Sequence, residues 1–190
     1  MNRLLSYVLP IGLLVCAAGC DNYIIDSEQR VNTAWGNVQS QYQRRADLVP
    51  NLVEVVKGAA AHEKDTLEGT IKARNAVTQI KIDPQDLSNP QKMEAYRAAQ
   101  SQLTTMMRQL FAVSERYPEI RANQNFRDLQ VQIEGTENRI QRAREQYNEA
   151  VLDYNNNILK WPGRWLAGGR QPKQAFAAEA GAEHAPKVKF

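Results

Sequence analysis

The feature that most constrains the fold is a regular alternation of three- and four-residue steps between apolar side chains. The longest such stripe runs through Leu129, Ile133, Thr136, Ile140, Ala143, Tyr147, Ala150, Tyr154 and Ile158, and its steps alternate between four and three as far as Tyr154. A mean step of about 3.5 residues places one stripe along a helix that packs against its neighbours at a shallow angle. No segment sustains a period of two, so a β-sheet is not expected.

Three more stripes precede this one. The first contains Val31, Trp35, Val38 and Tyr42, the second contains Leu48, Leu52, Val55, Ala59, Thr66, Thr70, Ala73 and Val77, and the third contains Tyr96, Ala99, Leu103, Met106, Leu110, Val113 and Tyr117. Four long stripes separated by turn residues predict an all-α, up-and-down bundle of long helices.

Capping and turn residues locate the first two helices. Asp26 or Ser27 caps the first helix. We predict that this helix ends before Pro50 and that Asp47 caps a second helix, which fades near Ile80. Two helices are preferred over a single kinked helix, because a proline in a helix interior costs about 3 kcal/mol.

The later helices have clearer ends. Ser88 or Asn89 caps a third helix that is expected over residues 90–117, with a proline at its first position and another directly after its end. A fourth helix is expected to begin at residues 123–125 and to run to about Lys160.

The N-terminal residues MNRLLSYVLPIGLLVCAAGC differ from the rest of the chain. Arg3 is the only charge, an apolar run follows, and small residues precede Cys20. This order is typical of a secretory signal over residues 1–19. Small residues before a cysteine resemble the bacterial lipoprotein signal, which predicts lipid attachment at Cys20. Two or three acyl chains hold a protein stably to a bilayer.

An uncleaved membrane helix is the alternative. The segment from Leu4 to Cys20 is shorter than the roughly 20 residues that span a bilayer, and Pro10 interrupts it. Ala17 argues the other way, because lipoprotein signals more often carry Leu or a β-branched residue there. Either anchor predicts a membrane protein whose bulk lies on the periplasmic or extracellular side. Asp21, directly after the cysteine, resembles the signal that keeps lipoproteins in the inner membrane of Gram-negative cells, so it favours that membrane if the source is Gram-negative.

Composition and motifs exclude several chemistries. The net charge is only +3, and basic and acidic residues are interleaved, so no nucleic-acid partner is expected. The two histidines, His62 and His184, belong to no Glu-x-x-His or His-Glu-x-x-His motif, and His62 is expected at the edge of a helix seam. We therefore predict no enzyme activity, no cofactor and no metal site.

Polar residues within and between the stripes form the candidate structural or functional site. They include two Tyr-Asn pairs spaced seven residues apart on one helix face. The candidates are Asp47, Glu63, Glu115, Tyr117, Glu137, Arg139, Tyr147, Asn148, Tyr154 and Asn155. The preferred interpretation is structural, since such groups set helix register and hydrogen-bond at their tips. The alternative is a ligand-binding or enzymatic bundle with a polar core site.

Several long phrases resemble the bacterial LemA family. They are RRADLVPNLVEVVKGAAAHE, ARNAV, SERYPEIRANQNFRDLQ and TENRIQRAREQYNEAVLDYN, and the closing APKVKF is similar to the family's usual ending. The resemblance covers about residues 23–162. It implies an antiparallel four-helix bundle beyond an N-terminal membrane anchor, commonly a transmembrane one, and it supplies no catalytic residues.

These observations divide the chain into an anchor over residues 1–19, a helical bundle over residues 20–161, and an extended tail over residues 162–190. The tail is either disordered or a strap whose Trp165, Phe176, Val188 and Phe190 dock on the bundle. We expect a non-catalytic interaction or scaffold protein of the cell envelope that binds a protein partner or itself. Its expected contact points are Met107, Phe111 and the tail aromatics.

Overall fold

The computed structural model describes the backbone from Asn2 to Ala177 and the side chains from residue 22 onward. Met1 and residues 178–190 lie outside the described chain, as do the side chains of residues 2–21. The predictions for lipid attachment at Cys20 and for the docking of Val188 and Phe190 therefore concern groups outside the described residues.

The described chain is all-α, as predicted, and residues 2–177 contain no strand. The helices are α1 (Asn2–Ala59), α2 (Lys64–Gln79), α3 (Pro90–Arg116), α4 (Pro118–Ala122), α5 (Gln124–Leu159) and α6 (Gly163–Leu166), with a 3₁₀ turn at Pro84–Ser88 between α2 and α3.

The prediction of a helix end before Pro50 is wrong. Helix α1 runs through Pro50, and Asp47 is no cap but an exposed residue that accepts a hydrogen bond from Gln43 Nε2 at 2.7 Å. Pro50 itself faces solvent. The opposite face of the helix is buried on both sides of the proline, through Ala46, Val49, Leu52, Val53 and Val56. This continuous packing outweighs the local cost of the proline.

The real break comes ten residues later, in the turn between α1 and α2. Ala60 is fully buried there, and the Glu63 N–H donates to its carbonyl at 3.0 Å. His62 is exposed in this turn rather than at a helix seam. The second stripe had one unfilled step between Ala59 and Thr66, where a continuous helix would need an apolar residue.

The predicted ends of α3 and α5 are confirmed. The Asn89 side chain accepts a hydrogen bond from the Lys92 N–H at 3.1 Å, with Pro90 at the first helical position. The Asn123 side chain caps α5 by accepting the N–H groups of the second and third residues after it. The sequence did not predict α4, which follows Pro118 and buries Ile120.

Long-range hydrogen bonds fix the direction of each helix. The Trp35 indole N–H, on α1, donates to the Ile82 carbonyl just after α2 at 3.2 Å, so α2 runs back along α1. The Tyr117 hydroxyl, at the C-terminal end of α3, donates to Glu63 at 3.2 Å. The end of α3 therefore lies beside the turn between α1 and α2, hereafter the far turn. Helix α5 then packs along α1. The result is an antiparallel four-helix bundle.

The neighbouring helices are not equally close. The backbones of α3 and α5 stand farther apart than those of α1 with α5, α2 with α3, or α1 with α2. One side of the bundle is therefore open between α3 and α5. Within the part of the chain whose side chains are described, no helix is both long and apolar enough to cross a bilayer.

The buried stripes differ from prediction in α1 and α3. Along α1 the core contains Val49, Val53 and Val56 in place of the predicted Leu48 and Val55, because the phase is set by one continuous helix. Met107 is only 3% exposed, so its prediction as a surface contact point is wrong. Phe111 is half-buried and packs edge-on against Phe126, with ring centroids 6.0 Å apart.

Candidate interaction site: the strap and the groove between α3 and α5

Residues 170–177 form an extended segment, hereafter the strap, that enters the open side of the bundle. After α6 the chain turns at Gly168 and Gly169, whose φ angles of 55° and 82° lie in the left-handed region that glycine adopts without strain. The strap then runs antiparallel to α5. The first part of the predicted tail is thus docked on the bundle.

The two Tyr-Asn pairs of α5 bind the strap. Asn155 accepts the Lys173 N–H at 2.9 Å and donates to the carbonyl of the same residue at 3.0 Å. Asn148 does the same with Phe176, at 2.8 and 2.9 Å. The Tyr147 hydroxyl donates to the Gln174 carbonyl at 2.9 Å.

The seven-residue spacing of these pairs has a geometric reason. Seven helical residues rise about 10.5 Å, and three extended residues cover about 10 Å. The side-chain amides of Asn148 and Asn155 therefore meet the backbones of residues 176 and 173 in register. Each amide pairs with an N–H and a C=O of one residue, as a neighbouring β-strand would. A helix face here recognises extended backbone.

Phe176 is the apolar anchor of the strap. It is 5% exposed and stacks on Trp35 with ring centroids 6.2 Å apart, while Tyr147 meets it edge-on at 5.5 Å. The guanidinium groups of Arg144 and Arg97 lie 4.9 and 5.7 Å from the ring centroid. In contrast, Trp165 is 87% exposed, so its predicted docking is wrong.

Lys173 is the charged anchor. It is 5% exposed, and its ammonium group lies 3.2 Å from Glu28 Oε1, 3.4 Å from Asn32 Oδ1 and 5.1 Å from the centroid of the Tyr154 ring. Arg170 also pairs with Glu28, at 3.5 Å. The sequence did not single out Glu28 or Lys173, since a lysine in a polar tail carries no signal of burial.

The strap also bonds to the α3 side. The Gln174 N–H donates to the Leu87 carbonyl at 2.8 Å, and Arg97 donates to the Ala175 carbonyl at 2.7 Å. Together with the bonds to α5, these contacts make the strap the bridge between two helices whose backbones stand apart. The open side of the bundle is closed here by polypeptide rather than by helix packing.

A buried arginine spans the same gap farther along the bundle. Arg45 is 2% exposed and donates from Nη1 to Thr104 Oγ1 at 2.8 Å and Glu137 Oε1 at 2.9 Å. Its Nη2 donates to both the backbone and side-chain oxygens of Gln100, at 3.2 and 2.7 Å. The Tyr42 ring centroid lies 5.1 Å from the guanidinium carbon. Arg45 thereby joins α1, α3 and α5.

A groove of about 650 Å³ continues between α3 and α5 from the point where the described strap ends. Arg45 and Glu137 lie in its wall, and four arginines and three glutamates contribute to its lining. Hereafter we call this space the groove. Its other lining residues include Arg97, Thr105, Arg108, Phe111, Glu134 and Arg144.

The predicted site residues divide into separate groups. The α5 pairs meet the strap, and Glu137 meets Arg45. Glu63 and Tyr117 lie at the far turn, where Glu63 also pairs with Arg116 at 3.0 Å. The remaining candidates, Asp47, Glu115 and Arg139, are exposed and join none of these contacts.

Buried phenols make the folded state sensitive to alkaline pH. Burial, aided by the Glu28 carboxylate, raises the pKa of Tyr154 to about 12, and burial also raises the pKa of Tyr147 above its ordinary value. Above about pH 10 the unfolded phenols lose protons that the folded ones retain, so the free energy of unfolding falls as the pH rises.

We therefore expect Tyr154→Phe to make that fall shallower between about pH 10 and 12. Urea unfolding at a series of pH values measures it. Tyr23→Phe, at an exposed phenol, is the matched control and should leave the slope unchanged. Equal slopes for wild type and Tyr154→Phe would contradict the assignment.

The asparagine contacts give a second prediction. Asn148→Ala should weaken local strap binding by about 1–2 kcal/mol, because two backbone hydrogen bonds are lost. Hydrogen exchange of the Phe176 amide should speed up roughly 5- to 30-fold. Asn138→Ala, at an exposed position on the same helix, is the control. Exchange at Phe176 that is no faster than in this control would show that Asn148 does not hold the strap.

The chain is similar in sequence to three magnetosome proteins. The chain is 27% identical over 162 residues to Magnetosome protein MamQ 1 and to Magnetosome protein MamQ 2 of Paramagnetospirillum magneticum, covering 77% of this chain and 60% of each relative. It is 26% identical over 147 residues to Magnetosome protein MamQ of Magnetospirillum gryphiswaldense, covering 69% of this chain and 54% of that protein. The chain thus spans little more than half the length of these relatives.

The family assignment covers most of the chain. The match to the LemA family extends over residues 34–190 and includes α2 to α6, the strap and the part of α1 that carries Trp35 and Arg45. The helices and contacts that build the open-sided bundle all lie in this range or directly before it. The chain belongs to the LemA family.

Proposed function

We propose that this protein is a membrane-tethered, non-catalytic interaction module of the cell envelope, and that its groove binds an extended polypeptide segment of a partner. The observation that carries the proposal is the docking of the strap. The same side of the bundle already binds extended backbone through Asn148 and Asn155, and the groove continues from that site. An extended peptide whose backbone hydrogen-bonds to an exposed strand edge is a common mode of peptide recognition.

The N-terminal segment supports the tether. Its apolar run and small residues before Cys20 are typical of an exported, lipid-anchored chain. The backbone of α1 is helical from Asn2 to Ala59, so this segment leads without a break into the bundle. A rod that begins at its own anchor is suited to presenting one face to a partner in the same envelope.

The composition of the groove supports a segment with acidic side chains. Its lining contains four arginines and three glutamates, and with Glu137 paired to Arg45 and Glu94 paired to Arg97 it keeps an excess of one positive charge. Phe111 adds a half-buried apolar surface beside Arg108. Arginine is well suited to carboxylates, because its planar donors match their geometry.

Photo-crosslinking in the native membrane tests the proposal. A benzoylphenylalanine in place of Thr105, on the groove wall, should crosslink to one partner protein or to a second copy. The same group in place of Lys72, exposed on α2, is the matched control and should not. Recovery of only monomer from the Thr105 position, under conditions that capture other envelope complexes, would contradict the proposal.

A small anionic ligand, bound or turned over in the polar core, is the second candidate. It is favoured by Arg45 Nε, which is buried without a hydrogen-bond partner beside the groove. The two candidates separate in a thermal-shift screen with phosphate and dicarboxylates on the full chain. A rise in Tm that Arg108→Ala abolishes would favour the ligand, whereas an unchanged Tm together with a crosslinked partner favours the interaction module.

A further inference from the structure

Large hydrophobic side chains remain exposed at one end of the bundle. Most of the large hydrophobic side chains that are exposed among the described residues lie at this end. Two of them are Trp161 and Trp165, which are 81% and 87% exposed. We call this set the aromatic end. It comprises Tyr23, Ile25, Leu159, Trp161 and Trp165. Water-exposed indole rings are unusual on a soluble surface, and a cluster of them indicates an interaction site.

These side chains share one end because the elements that carry them pack together. Helix α6 contacts both α1 and α5. Ile24 and Ile158 are buried in one cluster, and a Cβ at Gly163 would lie 3.7 Å from Ile24 Cδ1. The exposed residues therefore surround a well-packed base rather than a frayed terminus.

The same end is where the chain meets its apolar N-terminal segment. The α1 backbone continues from Tyr23 toward the run between Leu4 and Val15. A lipid on Cys20 or a membrane helix formed by that run would lie directly before Tyr23 in α1, so either anchor also brings the aromatic end to the bilayer surface. This continuity distinguishes a lipid surface from a second copy of the chain as the occupant.

The residue types match a lipid–water interface. Tryptophan and tyrosine concentrate at the headgroup level of membranes, where one part of the ring is apolar and the other is wet. Lys160 and Arg164 are exposed beside the tryptophans, while Asp26 is exposed on the α1 side. Because the charges are mixed, aromatic insertion rather than attraction to anionic lipid dominates.

We propose that the aromatic end is seated on the bilayer, with Trp161 and Trp165 inserted at the headgroup level. The inference rests on the proposed membrane tether and adds a second, surface contact to it. The bundle is then held to the membrane at two points, the N-terminal anchor and the aromatic end, and keeps a fixed orientation to the bilayer.

Tryptophan fluorescence tests the seating with the full chain in phosphatidylcholine vesicles. The third tryptophan, Trp35, is 1% exposed and lies about 18 Å along α1 from Tyr23, so it reports no lipid contact. Brominated phosphatidylcholine should quench the wild-type emission strongly. A W161F/W165F variant, in which only Trp35 emits, should show almost no quenching. Wild-type emission that bromolipid leaves unchanged but aqueous acrylamide quenches would overturn the proposal.

Vesicle flotation separates this result from a failure of the tether. Chains that float with the vesicles but are not quenched leave the tether intact and refute the seating alone. Chains that do not float refute both. Crosslinks between copies through Trp165, in place of bromolipid quenching, would assign the aromatic end to self-association and overturn the lipid contact.

Discussion

Phe176→Ala is expected to lower the free energy of unfolding by about 3–5 kcal/mol, the range for removing a buried aromatic ring. The ring stacks on Trp35 and meets Tyr147, and two guanidinium groups lie beside it. Its loss opens a cavity at the point where the strap bridges α3 and α5. Urea unfolding followed by circular dichroism measures the change.

Two further measurements sharpen that test. In the W161F/W165F background the emission of Trp35 should shift to the red in Phe176→Ala, because the strap no longer covers the indole. Trp165→Ala is the matched control, since that ring is exposed and its removal should change stability by less than about 0.5 kcal/mol. Similar losses of stability in the two variants would contradict the assignment of Phe176 as the anchor.

Arg45→Ala is expected to cost about 2–4 kcal/mol. The substitution leaves a cavity and removes the donors that satisfy the buried Gln100 side chain. Arg44→Ala, at the exposed neighbouring position, is the control and should lie within about 0.5 kcal/mol of wild type. Thermal and urea unfolding of both variants measure the difference.

The substitution of its partner separates charge from volume. Glu137→Gln leaves Arg45 buried without a counter-charge, and we expect that to cost about 3 kcal/mol. Arg45→Met fills much of the same space without a charge, so it should cost less than either Arg45→Ala or Glu137→Gln. If Arg45→Met were the most destabilising of the three, Arg45 would stabilise the fold through its hydrogen bonds rather than through its volume and the pairing of its charge.

The fold follows from the stripes because each one is long and regular. The α5 stripe is buried at every predicted position except Ala150, which is half-buried, and the caps at Asn89 and Asn123 lie where capping chemistry requires them. Local rules failed at Pro50, because a local cost was weighed without the packing around it.

The sequence held a signal for that failure. Continued from Tyr42, the first stripe steps through Arg45, Val49, Leu52 and Val56 without a slip. That continuation predicts both an unbroken helix through Pro50 and a buried arginine, whereas the prediction of two helices considered only the cost of the proline. A charged residue in register with a core stripe indicates a buried ion pair.

The site was only partly predictable. The repeat of Tyr147-Asn148 and Tyr154-Asn155 indicated a shared face, yet nothing local to α5 revealed that the face binds the strap. The strap residues carry weak signals, because extended backbone is recognised through its N–H and C=O groups, which every sequence has. Contacts of this kind become visible only when the two segments are placed side by side.

Because α1 continues without a break through Pro50, it fixes the distance between the aromatic end and the groove. Arg45, in the wall of the groove, lies about 33 Å along the helix from Tyr23 at the aromatic end. A bilayer core is about 30 Å thick, so the groove stands about one membrane thickness above the bilayer surface if the aromatic end rests on that surface. In that arrangement a partner's membrane-embedded helix would be too low to enter the groove. A segment bound there would have to be a loop or tail that extends well out of the bilayer, and lengthening α1 would raise the required height by about 1.5 Å per added residue.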